Sequence, residues 1–226
     1  MDEIFHRLAL LGDVWVLWLL IAASVVSFGV MLERWSVFRK NHLDFPRFLE
    51  ELANRLEAGD LAGARQAAQN ARGVEGRVAA AGLEHFAKGA ASVEEAMTSR
   101  LVLERAILER HLIILGSLGN NAPFIGLFGT VLGIIKAFND LAVSGQSGVG
   151  VVMVGISSAL IATAFGIFVA IPAVAANNAF HTRVKRVSAN AQSLIHRVQV
   201  YLRDETQRGP HSLVGAAEEE KEEVRA

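Results

Sequence analysis

Three uncharged apolar runs divide the chain. Val14 to Leu32 is nineteen residues long and lies between Asp13 and Glu33. Leu112 to Ile135 is twenty-four residues long and lies between His111 and Lys136. The third opens after Asp140 and meets no ionisable side chain until His181 and Arg183. A helix crosses the hydrocarbon core with about 20 apolar residues. The runs therefore predict transmembrane helices at 14–32, 112–138 and 151–180. Val143 to Gly148 reads as a turn inside a short loop, 139–150. The first run follows Asp2, Glu3 and Asp13 against a single Arg7. That leader has the wrong sign for a signal peptide, so the run reads as a retained anchor.

The segments between the runs mix apolar and charged residues at helical spacing. In 33–111, Gly59 ends one helix and Asp60 caps the next, which runs through Gln69. Ser92-Val93-Glu94-Glu95 fits a capping box with Ser92 as the cap. No helix breaker follows before Pro123, so one helix is expected from about 93 to 138. Residues 181–208 continue the third span as an amphipathic helix. Its stripe is Val184, Val187, Ala191, Leu194, Val198 and Tyr201, expected to pack on the helices of the insert. Gly209-Pro210 ends it, and 209–226 reads as a disordered acidic tail.

Charge sets the orientation. Residues 33–111 hold twelve Lys and Arg and 181–226 hold eight, while 1–13 holds only Arg7. The positive-inside rule puts the insert and the C-terminus in the cytoplasm, and 1–13 and 139–150 outside. Composition excludes other classes. Hydrophobic residues make up 52% of the chain, far above a disordered protein. The 22 basic residues are matched by 23 acidic ones, so no basic excess points to nucleic acid. There is no cysteine for thiol or zinc-thiolate chemistry. The seven histidines lack metal-ligand spacing, and no catalytic constellation appears. Neither an enzyme nor a metal site is expected, and no cofactor is called for.

Spans two and three carry ordered small residues. They are Gly116, Gly119, Ala122, Gly126, Gly129, Gly133 and Ala137 in one, and Gly155, Ala159, Ala162, Gly166, Ala170 and Ala173 in the other. Steps of three and four place each set on one helix face. Helices in lipid associate by close packing, which small residues permit. The two faces are interfaces, either packing alone or packing that also shapes a pore. Span one is rich in Leu, Val and Trp and reads as a peripheral, lipid-facing helix. No ionisable group lies inside any of the three uncharged runs, so this chain alone supplies no proton relay. It has hydroxyls instead. Thr130 and Thr163 each lie about 40° from the centre of a small-residue face at 100° per residue, and Ser157 and Ser158 are near by. A threonine can satisfy itself on a carbonyl one turn back, but two on two such faces favour a shared polar lining. Pro123 and Pro172 are expected to kink their helices.

The stretch Asn121-Ala122-Pro123-Phe124-Ile125-Gly126-Leu127-Phe128-Gly129-Thr130-Val131-Leu132-Gly133-Ile134 resembles the span-two signature of the MotA/TolQ/ExbB proton-channel family. Gly155-Ile156-Ser157-Ser158-Ala159-Leu160-Ile161-Ala162-Thr163-Ala164 and Gly166 to Ala173 resemble its third span. Three spans, rather than the four of the flagellar branch, fit the ExbB/TolQ branch. The resemblance implies an all-α homopentamer in the bacterial inner membrane, around a central pore. The pore would hold a dimer of a single-span ExbD/TolR-like partner whose membrane aspartate supplies the missing titratable group. Thr130 and Thr163 map onto the family's pore threonines, with Gly126, Gly129, Gly133, Ala159, Gly166 and Ala170 packing the helices around the pore. Protons are the implied coupling ion, and a TonB/TolA-like protein or motility machinery the implied recipient of the work. The pattern departs at Ser158, where the family typically has glutamate. Hydroxyls without an acid also suit sodium, or a gliding-motility branch. A passive scaffold is the competing reading.

Overall fold

A computed structural model describes residues 14–144 and 149–208. The expected tail at 209–226, the N-terminal segment 1–13 and the tip of the 139–150 loop lie outside the described residues. Those that are described form helices and no strand. The elements are α1 (Val14–Lys40), α2 (Phe45–Glu57), α3 (Leu61–Asn70), α4 (Val74–Glu84), a 3-10 turn (Phe86–Lys88), α5 (Ala90–Glu109), α6 (Leu112–Ser144) and α7 (Val149–Arg208). The chain divides into two compact units, Met1–Ser36 with Glu109–Thr182, and Val37–Leu108 with Arg183–Ala226.

The first unit holds the apolar runs. α1, α6 and α7 are each long and apolar enough to cross a membrane. α6 outlasts its apolar run by more than two turns, and along that extension Lys136 and Asp140, one turn apart, pair at 2.8 Å. Pro123 and Pro172 both lie inside continuous helices. α1 is less peripheral than its composition suggests. Val16 and Leu20 are fully buried in one cluster with Ala122, Leu132, Val169 and Ala170. Trp15 meets the edge of Phe128 at 6.1 Å between ring centroids. Ser27 continues this buried stripe, while Trp18, Val25, Phe28 and Leu32 on the other faces are exposed.

The expected single helix over 93–138 is two helices. Arg110 and His111 interrupt it, and His111 adopts φ 64°. A left-handed conformation is unfavourable for a residue with a side chain and persists where tertiary contacts hold it. Here the His111 Nδ1 lies 2.8 Å from Glu33 Oε2 at the end of the apolar part of α1. A carboxylate only accepts, so Nδ1 carries the proton. The Ser92 capping box is also absent. α5 opens three residues earlier, at Ala90, its first bond running from the Val93 amide to the Gly89 carbonyl, with Gly89 at φ 90°.

The second unit is built around a helical core. Asp60 caps α3 as expected, its carboxylate accepting from the Gly63 amide at 2.7 Å, and Gly59 at φ 71° closes α2. Phe48, Leu52 and Leu56 of α2 are buried, as are Val78 and Leu83 of α4, and Val93, Met97 and Leu108 of α5. The expected stripe of α7 is buried at Val184, Ala191, Leu194 and Val198. It packs on the insert: Tyr201 donates to the Leu56 carbonyl at 2.5 Å, and Asn190 donates to Glu75 at 3.1 Å. A buried carboxylate, Glu104, lies in this unit. Arg77 grips it through two bonds of 2.7 Å, and Arg100 adds a third at 2.6 Å. Arg77 also donates to Asn41 at 2.9 Å.

Candidate functional site at the glycine contact of α6 and α7

The two small-residue faces meet each other inside one chain. A Cβ on Gly166 would come within 2.6 Å of the Ala122 carbonyl oxygen and 3.1 Å of Gly126 Cα. One on Gly126 would come within 2.7 Å of the Ala162 carbonyl oxygen and 3.0 Å of Thr163 Cα. Gly129 is closed in by Ala162 and by Val16 of α1. Gly155 faces Ala137, and Gly119 faces Val174. Ala159, Ala162 and Ala173 have no measurable exposure, and Ala170 is nearly as buried. Gly133 is buried on the same side of α6. Only hydrogen at these positions lets the backbones approach this closely, which is the source of attraction available between helices in lipid. The faces therefore serve packing within the subunit.

The hydroxyls divide. Thr130 is buried and donates to the Leu127 carbonyl at 2.6 Å, one turn back on its own helix. That is the self-satisfied arrangement open to any threonine in a span. Thr163 differs. Its Oγ1 is fully buried and makes no hydrogen bond, and its Cα, not its hydroxyl, is what closes on Gly126. Ser157 and Ser158 are exposed on α7, so the structure does not bring them into the glycine contact. Pro123 is half-buried and Pro172 exposed.

Three polar groups of the same unit escaped the reading of the sequence as site residues. The Ser27 Oγ, the Trp15 Nε1 and the Asn177 Oδ1 are also buried without a hydrogen bond. The Asn177 carboxamide lies over Gly116, whose Cβ would sit 3.6 Å from Oδ1. A buried polar atom left without a partner costs about 1–3 kcal/mol. Asn177 had a signal: it is a strong hydrogen-bonding group three residues inside the end of an apolar run. Ser27 had only its place on the stripe shared with Val16 and Leu20.

An all-α chain with three membrane-length helices, two of them locked by bare glycine faces beside buried hydroxyls, defines a polytopic membrane protein built for helix packing. The model of the MotA/TolQ/ExbB proton channel family matches residues 70–193, and the chain belongs to that family. Among its relatives, the Tol-Pal system protein TolQ of Pseudomonas aeruginosa is 35% identical over 178 residues, 73% of this chain and 76% of the relative. The biopolymer transport protein ExbB of Neisseria gonorrhoeae is 46% identical over 88 residues, 39% of this chain and 40% of the relative. The TolQ of Haemophilus influenzae is 42% identical over 97 residues, 42% of each chain.

Proposed function

We propose that the chain is the channel subunit of an ion-driven motor that converts the proton motive force into work across the cell envelope, of the Tol or Ton type. Five copies surround a pore in the inner membrane, with the N-terminus periplasmic and the C-terminus cytoplasmic. The pore holds a dimer of a single-span ExbD/TolR-like partner. Similarity to proteins named TolQ and ExbB supports this reading. The observation that carries the site is the buried, unpartnered Thr163 hydroxyl. An ionised partner carboxylate in the membrane is costly unless donors and water meet it. The Thr163 hydroxyl has an unused donor, whereas Thr130 spends its own on Leu127. Thr163 is thus the stronger of the two candidates, and Thr130 lines the path through its remaining acceptor capacity.

A second reading draws on Ser158, exposed where the family typically has an acid. It assigns sodium as the coupling ion, or the gliding-motility branch, without changing the role of Thr163.

Thr163→Val keeps the side-chain volume and removes the hydroxyl. Partner-dependent proton uptake into proteoliposomes is expected to fall at least about tenfold, a barrier change of about 1.4 kcal/mol. Copy number by native mass spectrometry should stay the same. Unchanged uptake in a correctly assembled variant removes Thr163 from the path.

A further inference from the structure

We propose that Arg183, Lys185 and Arg186 form a binding site for the headgroup of an anionic phospholipid, on the part of α7 that emerges from the membrane. The inference rests on α7 crossing the bilayer and is independent of whether the assembly conducts ions. Phe180 is the last buried apolar residue before the charges begin. At 1.5 Å per residue, Arg183 follows it by about 5 Å and Arg186 by about 9 Å. Arg183 falls within the polar layer, which adds about 5–8 Å to each side of the hydrocarbon core, and Arg186 lies just past its outer edge, within reach of a long side chain.

The three side chains are exposed, while Val184 between them is buried. Val184 thus fixes the rotation of the helix so that its neighbours point away from protein. Among the described residues no carboxylate engages any of the three. Arg55, Arg77 and Arg100 of the same unit, by contrast, are each paired with an acid. The sequence also withholds acids: none occurs between Asp140 and Asp204. Cations clustered just beyond a membrane span, with no anion supplied by the described residues, match the charge of an anionic lipid surface. Arginine adds a planar fork suited to phosphate oxygens.

The test is native mass spectrometry of the purified full chain in detergent, titrated with phosphatidylglycerol or with phosphatidylcholine. The wild type should hold phosphatidylglycerol at least about tenfold more tightly, and raised ionic strength should erase that preference. The triple variant Arg183→Gln, Lys185→Gln, Arg186→Gln should lose it. A control triple, Arg47→Gln, Arg72→Gln, Lys88→Gln, removes the same charge from exposed positions of the insert and should keep it. Equal affinity for the two lipids, or equal loss in both triples, overturns the site. A preference that appears only after residues 209–226 are removed would assign the patch to the chain's own acidic tail and overturn the lipid assignment. If the triple variant does not fold, the three single glutamine variants replace it: each should lose part of the preference, and an unchanged preference in all three overturns the site.

Discussion

Gly166→Ala is expected to destabilise the protein by about 3 kcal/mol, at the upper end of what overpacking a close contact costs. The added methyl would stand 2.6 Å from the Ala122 carbonyl oxygen and 3.1 Å from Gly126 Cα. Both obstacles are backbone or bare glycine, so no side chain can swing aside. α6 and α7 must separate, and the separation also loosens Val169 and Ala170 from Val16 and Leu20 of α1. Thermal unfolding in detergent should show the drop. Gly29→Ala is the control: nothing lies within 4 Å of its would-be Cβ, and alanine is the better helix former. Equal stability of the Gly166 variant and wild type would mean that the two spans do not touch as described.

Glu104→Gln should cost about 2–3 kcal/mol. Breaking a buried ion pair costs 3–5 kcal/mol, but the guanidinium side chains of Arg77 and Arg100 are 37% and 42% exposed and regain water when released. The pH dependence has a definite sign. Burial pushes the Glu104 carboxyl up, and the hydrogen bonds and charges of Arg77 and Arg100 outweigh it, leaving the group below its ordinary value. Its contribution is complete above the ordinary carboxylate range, near pH 4.3, and is lost as pH falls through the lowered value. Wild-type unfolding temperature should therefore drop on acidification below about pH 4, and the glutamine variant should lack this part of the drop. An identical acid limb in both would remove Glu104 from the ledger.

The membrane helices were legible in the sequence because the signal is one-dimensional. Val14 to Leu32 and Leu112 to Ile135 are uncharged at a length that lipid dictates. The glycine faces were legible for the same reason, as spacing within a helix. Where they dock was not: Gly126 meeting Gly166 depends on how two helices cross. The break at His111 carried no glycine or proline to announce it. It exists because Glu33, seventy-eight residues away, takes the imidazole. Arg77 and Glu104 looked like members of a solvated mixed face, since twenty-seven residues separate them. The two threonines read alike in sequence and differ in the fold. Thr130 reaches its own Leu127 carbonyl, and Thr163 reaches none.

On the proposed function, this chain is expected to conduct ions only together with a single-span partner. The most direct measurement is proton uptake by proteoliposomes under an imposed potential, with the chain alone and with the chain plus an ExbD/TolR-like protein. The chain alone should give background uptake, because its three apolar runs hold no ionisable group, and the chain with the partner should give uptake well above background. That gain should vanish when the partner's membrane aspartate is replaced by asparagine. Equal uptake with and without the partner would contradict the proposed function.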